Sequence, residues 1–421
     1  MTRVLGSAQE ILAPDEIDKF VRDALDSDDY TGKRVCVLVP DATRSCPLPA
    51  VLDSVHAALH GRVAELTFMV ALGTHPAMTE DQLAALFGYP PGLPGQGSEV
   101  RYPGVTIRNH EWWQPEMLVS VGTIPGPELS ELSGGRLNDP VDVRLNRAVV
   151  DSDVTLVVGP VFPHEVVGFS GGNKYLFPGV AGQEVIDVSH WLGALITSAG
   201  IIGTRGITPV RALINRAAGL VPSELRCFSL VVESGTTNLH AISYGDTQDA
   251  WAAAADITAE VDVRYLDKPV RRVLSLVSDR YDELWTAAKG MYKVEPVVAD
   301  GGQVVLYAPG VTEVSRTHGA AIAEVGYHCR DYFVRQWDRF KDLSWGVLAH
   351  STHLRGGGSY DEIAGEHCRI EVTLATGIDE ATTRALGLSY LDPAGIDAAE
   401  WAREEDTLVV HNAGEILYRL R

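Results

Sequence analysis

Short runs of β-branched and aliphatic residues recur along the chain with helical stretches between them, and this alternation limits the fold more than any other feature. "KRVCVLVP" (33–40) is followed by the helical spacing of "LPAVLDSVHAAL" (48–59). "ELTFMVALG" (65–73) is followed by "TEDQLAALFG" (79–88), which opens on an N-cap threonine and closes on glycine. "VTLVVGPV" (154–161) and "CFSLVVES" (227–234) read as strands, and "TPVRALINRAAGL" (208–220) as a helix between them. After the alanine-rich helix "DAWAAAADITAEV" the composition changes near "VRYLDKPVRR" (263–272), and a second alternating series begins. It runs through "RRVLSLVS", a helix over "YDELWTAAKG", then "QVVLYAPG" (303–310), "CRIEVTLATG" (368–377) and "TLVVHNAG" (407–414). Strands alternating with helices build βαβ units and mostly parallel sheets. The expected fold is α/β: two domains, 1–267 and 268–421, with an active-site cleft between them. Whether the last strand joins the second sheet or packs back on the first domain is left open.

At 421 residues the chain can bury two such cores. Its formal net charge of −21 disfavours nucleic acid and anionic membrane surfaces as partners. An anionic substrate must therefore be held by a few local cations. The opening "MTRVLGSAQE" has no apolar leader, and no apolar run is long enough to span a bilayer. Five dispersed cysteines without a C-x-x-C fit reduced thiols, so a cytoplasmic protein is expected.

In α/β folds ligands sit at the carboxyl ends of strands, and three polar loops follow strands here. "PDATRSCP" presents Asp41 and Arg44, which a loop ion pair or helix cap would also explain. "ALGTHPAMTED" presents His75, whose imidazole titrates near neutral pH and suits general acid–base work. The third is "HEVVGFSGGNKYLFPGVAGQEVIDVSH" (164–190), with a histidine at each end and a lysine inside a glycine-rich turn. Its "GFSGGNK" exposes backbone N–H groups as a phosphate loop does. It is not a Walker A sequence, because Tyr175 rather than Ser or Thr follows Lys174. A lysine on such a turn can act as a nucleophile toward a carbonyl or carboxyl partner. His190 lies in a helix, where a histidine is commonly a packing residue. His110 beside Trp112 and Trp113 favours packing, and His350 with His353 makes a spaced pair without an obvious third zinc ligand.

Taken together these loops resemble the nickel-pincer-nucleotide lactate racemase family, most strongly over residues 33–200. The Asp-x-x-Arg loop matches Asp41 and Arg44, and the Gly-x-His loop matches Gly73 and His75. The SGG-x-K segment matches His164, Gly168, Ser170, Gly171, Gly172, Lys174, Pro178 and Gly179, and a later histidine matches His190. The resemblance implies a covalently attached cofactor, pyridinium-3,5-bisthiocarboxylic acid mononucleotide carrying nickel. Lys174 would tether it, His190 would ligate the metal, and Asp41, Arg44, Ser170, Gly171 and Gly172 would contact the nucleotide. Ni(II) accepts such a field of soft sulfur, carbon and imidazole donors, so one protein histidine is enough. His75 and His164 would be the acid/base pair of a 2-hydroxyacid racemase or epimerase working by hydride transfer through a 2-oxo acid. On the substrate side the resemblance implies Arg44, Lys289 and Thr286 of "WTAAKGM", and Trp345. Thr286 replaces the family's glutamine, the Gly-His-Gly-Gly loop is replaced by "PGVTEVSRTHGA", and Pro76 replaces an arginine. These departures leave lactate open as the substrate and make a related 2-hydroxy acid, larger or a sugar acid, an equal expectation. Cofactor-making enzymes are the implied partners; the oligomeric state is open.

Three other readings compete. An NAD-type hydroxyacid oxidoreductase would need a G-x-G-x-x-G after the first strand, which is missing. A zinc hydrolase would rest on His350 and His353, and a non-catalytic sugar-acid or nucleotide-binding protein could use the same scaffold.

Overall fold

The computed structural model describes residues 1–73, 75–91 and 96–421. The chain forms two compact units. The first comprises Met1–Phe162, Ser170–Ile186 and Arg205–Val261; the second comprises Pro163–Phe169, Asp187–Thr204 and Asp262–Arg421. The last passage, after Val261, lies close to the composition change near residue 267. Two earlier segments, Pro163–Phe169 and Asp187–Thr204, also belong to the second unit, and nothing in their composition marks them off.

The first unit is built on a seven-stranded sheet. Its order is Arg3–Gly6, Leu239–Gly245, Glu224–Val232, Val154–Pro160, Arg34–Val39, Glu65–Val70, Val105–Asn109. The five strands from Glu224–Val232 to Val105–Asn109 run parallel; Leu239–Gly245 pairs antiparallel with Glu224–Val232, and Arg3–Gly6 pairs antiparallel with Leu239–Gly245. Central parallel strands are covered on both faces and so read as unbroken apolar runs. Val35 to Val39 and all of Val154–Pro160 are buried, which is why these runs carried no alternation. Each such valine or leucine contributes roughly 1.5–3 kcal/mol by leaving water.

Helix Glu80–Phe87 starts and stops where its sequence directs. Thr79 accepts the Gln82 amide N–H, and Gly88 closes the helix at φ 71°. From Arg34–Val39 the chain crosses to Glu65–Val70 on one side, and Val154–Pro160 later adds on the other. The loops leaving Arg34–Val39 and Val154–Pro160 therefore flank the topological switch point, where open α/β sheets bind ligands.

The second unit has a five-stranded, all-parallel sheet in the order Ser389–Tyr390, Glu371–Thr376, Val298–Ala308, Val270–Val277, Thr407–Ala413. The strand left open by the sequence, Thr407–Ala413, pairs with Val270–Val277 and so belongs to this sheet. Leu417–Leu420 adds a parallel pair with Val263–Leu266. All five cysteines are free thiols. Among the described residues no helix is long and apolar enough to cross a membrane.

Candidate active site

Three loops of the first unit meet at the carboxyl end of its sheet. The Asp41 carboxylate, 7% exposed, accepts from the Thr43 N–H at 3.1 Å and from the Thr43 hydroxyl at 2.6 Å. Its other oxygen bonds Nδ1 of His75. Burial opposes the charge on Asp41. The His75 ring, Thr43 and Arg44 outweigh it and hold the carboxyl well below the usual carboxylate range. Because a carboxylate can only accept, His75 carries a proton on Nδ1, which leaves Nε2 as the other ring nitrogen able to exchange a proton. Gly73 N–H donates to the Gly179 carbonyl at 2.9 Å, tying the His75 loop to the end of the lysine segment.

The lysine turn is held from beneath. The Phe162 N–H donates to Ser170 Oγ (2.9 Å), and Ser170 N–H returns to the Phe162 carbonyl (2.8 Å). This reciprocal pair clamps the two ends of the excursion through Pro163–Phe169. Trp251 Nε1 donates to the Ser170 carbonyl at 2.8 Å, and the buried Arg211 guanidinium donates to the Gly171 carbonyl at 3.0 Å. That guanidinium stacks 4.0 Å from the Trp251 ring. Gly171 and Gly172 sit at φ 88° and 56°, and a Cβ on Gly172 would fall 2.7 Å from Trp251 Cβ and 2.8 Å from the Thr247 carbonyl. Glycine is required there by the platform below. The turn thus presents Lys174, half-buried, in the short helix Gly172–Tyr175. Tyr175 is buried, and its field is shared with Arg44 and Asp41.

His164 and His190 belong to the second unit. His164, 5% exposed, lies in a two-residue hairpin with Gly168 opposite it. The Val166 N–H donates to its Nδ1 at 3.1 Å, so the neutral ring carries its proton on Nε2. The Glu165 carboxylate stands 3.3 Å from the same Nδ1. A backbone N–H can only donate, so it sets the tautomer, and Glu165 supplies negative potential beside the ring. His190 is half-buried on helix Gln183–Ile196. The next residue, Trp191, stacks on Trp337 at 5.3 Å, and Trp337 packs on Trp345 at 5.4 Å. Asp187, one turn before His190, accepts from Gly346 N–H (2.8 Å) and Ser344 Oγ (3.3 Å), fixing the start of helix Trp345–Arg355. Trp345 thus braces the His190 helix.

Lys289 and Thr286 are both buried, on adjoining short helices after strand Val270–Val277. Lys289 Nζ lies 5.2 Å from the Tyr281 ring, and the Thr286 hydroxyl donates to the Glu283 carbonyl at 3.1 Å. The zinc-pair reading of His350 and His353 finds no support. His350 Nε2 is spent on the Trp285 carbonyl at 3.0 Å, and no group of three or more metal-binding side chains exists among the described residues. His110 is a packing residue, bonded to the Ala181 carbonyl and the Asn146 amide at 3.1 Å each.

The lactate racemase N-terminal domain matches residues 17–125 and 128–200, the span that carries all of these loops. This part of the chain is a lactate racemase N-terminal domain. It is 23% identical over 283 residues to the lactate racemase of Thermoanaerobacterium thermosaccharolyticum, and 23% over 285 residues to that of Lactiplantibacillus plantarum. Each alignment covers 66% of this chain and 60% of the relative, so the chain spans about 60% of the length of these curated relatives. The crystal structure of a Thermotoga maritima protein superposes with TM-score 0.89 at 31% identity, covering 99% of this chain and all of that one. The lactate racemase apoprotein of T. thermosaccharolyticum shares the fold, with TM-score 0.70 at 18% identity over 96% of this chain and 93% of its own.

Several residues of this chain escape sequence reading. Arg211 and Trp251 look like ordinary members of helices Pro209–Ala218 and Thr247–Asp262, and only the folded chain puts them under the lysine turn. Asp187 and Trp337 likewise gain meaning from their partners alone. The one available signal was Thr43, inside the Asp41–Arg44 loop.

Proposed function

We propose that this protein is a 2-hydroxyacid racemase or epimerase with a nickel pincer nucleotide attached to Lys174. The residues present suit that group. A half-buried primary amine stands on a turn fixed by its own glycines, and a half-buried imidazole, His190, stands on a braced helix. Asp41, Arg44, Ser170, Gly171 and Gly172 would contact the nucleotide, though the Ser170 hydroxyl also holds the Phe162 N–H. When bound, the group supplies a hydride acceptor and donor for C2 of the substrate.

The observation that supports this reading is the anchoring of both histidines at Nδ1, His75 by Asp41 and His164 by the Val166 N–H. Asp41 fixes the His75 proton on Nδ1 and leaves Nε2 as a base. The Val166 amide holds Nδ1 of His164, and the Glu165 carboxylate stands beside the same nitrogen. A racemase must deprotonate the 2-hydroxyl of one enantiomer and reprotonate the oxygen of the other. Each ring would serve as base while neutral and as acid once it has taken up the proton, so two rings meet that need in either direction. Moving hydrogen at C2 as hydride avoids a carbanion beside a carboxylate and passes through a 2-oxo acid. Lys289 supplies the cation for the substrate carboxylate, with Arg44, and Thr286 and Trp345 border the substrate. The cofactor would be installed by enzymes that make it. A cytoplasmic setting agrees with five free thiols.

The test is racemisation of a single enantiomer of a 2-hydroxy acid in D2O by protein produced together with cofactor-making enzymes. Product of inverted configuration with no deuterium at C2 is expected. Deuterium incorporated at C2 would replace hydride transfer by proton abstraction from carbon.

A further inference from the structure

Among the described residues of the second unit, Nδ1 of His350 and the hydroxyl of Tyr327 are buried without hydrogen-bond partners, near the candidate substrate residues. His350, 8% exposed, stacks on the Trp285 ring at 4.0 Å and 11°, and its Nε2 meets the Trp285 carbonyl at 3.0 Å. A carbonyl only accepts, so Nε2 carries the proton and Nδ1 offers a lone pair. That Nδ1 is buried without a hydrogen-bond partner. Tyr327 is fully buried, its ring centre is 5.7 Å from that of His350, and its hydroxyl also lacks a partner. Lys289, three residues after Thr286, lies near enough for its charge to act on the His350 ring. Each buried orphan costs about 1–3 kcal/mol, so the pair is expensive to keep unfilled.

The two orphans differ in kind: Nδ1 can only accept, and the phenol is free to donate. A substrate ammonium could serve Nδ1 but not accept from the phenol. A carboxylate could serve the phenol but would face the Nδ1 lone pair. A hydroxyl donates to one and accepts from the other, and the two ring centres are 5.7 Å apart. We propose that Tyr327 and His350 form a subsite for an additional hydroxyl of the substrate, making the substrate a 2-hydroxy acid with at least one further hydroxyl. The inference rests on the proposed racemase reading, in which Lys289 takes the carboxylate. The sequence already departs from the lactate enzyme in this half, at Thr286 and in the segment carrying His318, whose ring packs on Trp285 at 4.3 Å.

The experiment measures dissociation constants by calorimetry on cofactor-loaded protein for three matched pairs of acids. They are lactate and glycerate, 2-hydroxybutanoate and 2,4-dihydroxybutanoate, and 2-hydroxyvalerate and 2,5-dihydroxyvalerate. In at least one pair the extra hydroxyl is expected to tighten binding about tenfold. In Tyr327→Phe and His350→Phe that ratio falls to about one, while the partner lacking the hydroxyl keeps its affinity within about twofold. Tyr327→Phe removes a single oxygen and carries the test by itself if His350→Phe does not fold. Equal affinities within every pair, or a ratio that survives Tyr327→Phe, would mean that water alone fills the site and would overturn the subsite. Failure of all six acids to bind loaded protein would instead overturn the racemase reading, and the subsite with it.

Discussion

Three histidines buried away from water make the fold sensitive to mild acid, by an amount that follows from their surroundings. Burial drives the rings of His110, His350 and His353 from the ordinary 6.5 down to about 4, about 3 and about 4, against the weaker pull of the Ala181 and Trp285 carbonyls and of Glu165. In the unfolded chain the same rings take up protons as pH falls through about 6.5. Between 6.5 and the depressed values the unfolded state binds more protons, so stability is highest above 6.5 and falls with acidification until the native rings titrate. At pH 5.5 each ring accounts for a loss of about 1.4 kcal/mol, and the three for about 4 kcal/mol. A domain has about 5–15 kcal/mol in total. Urea unfolding followed by tryptophan fluorescence at pH 7.5, 6.5 and 5.5 would measure the loss. His353→Phe should remove about a third of it, because neither nitrogen of that ring has a hydrogen-bond partner among the described residues. Equal stability at pH 7.5 and 5.5, or a pH dependence unchanged in His353→Phe, would refute the reasoning. The outcome bears on function, since the hydroxyl subsite needs a neutral His350.

Three further outcomes follow from the geometry. Asp41→Asn should retain nickel and the Lys174 adduct yet lose activity on the order of 10³- to 10⁴-fold, because the carboxylate that fixes the His75 tautomer is gone; full activity would remove Asp41 from that role. Gly172→Ala should lose about 1–3 kcal/mol of stability through overpacking against Trp251 and Thr247, read as a lowered Tm. An unchanged Tm would show that the platform yields. Arg211→Met should lower Tm by leaving the Gly171 carbonyl without its buried donor, at a cost of about 1–3 kcal/mol, and should slow adduct formation at Lys174; normal loading would make the guanidinium purely structural.

The sheet strands were legible because their reason for being apolar is local: Arg34–Val39 and Val154–Pro160 are covered on both faces, so the run itself is the signal. The candidate loops were legible for a related reason, since Asp41 and His75 directly follow such strands. The hairpin Leu118–Ile124 with Val141–Asn146 was missed; the first strand is mostly part-exposed, and the second sets buried Val141, Val143 and Leu145 between the polar Asp142 and Arg144. The assignment of Pro163–Phe169 and Asp187–Thr204 to the second unit depends on contacts far apart in sequence, and so does the stack from Trp191 to Trp345. His350 and His353 show how spacing misleads. Their separation suits a metal, but one ring serves a carbonyl and an indole, and the other is buried edge-on to Tyr292.

The central claim is that Lys174 holds a nickel-bearing nucleotide used for racemisation. Its most direct test is the intact mass and nickel content of protein produced alongside cofactor-making enzymes, compared with the Lys174→Ala variant. A nucleotide-sized mass increment mapping to Lys174, about one nickel per chain, and loss of the increment in the variant are predicted. Protein of unmodified mass without nickel, under conditions that load a lactate racemase, would contradict the claim and leave the glycine turn as a binding platform alone.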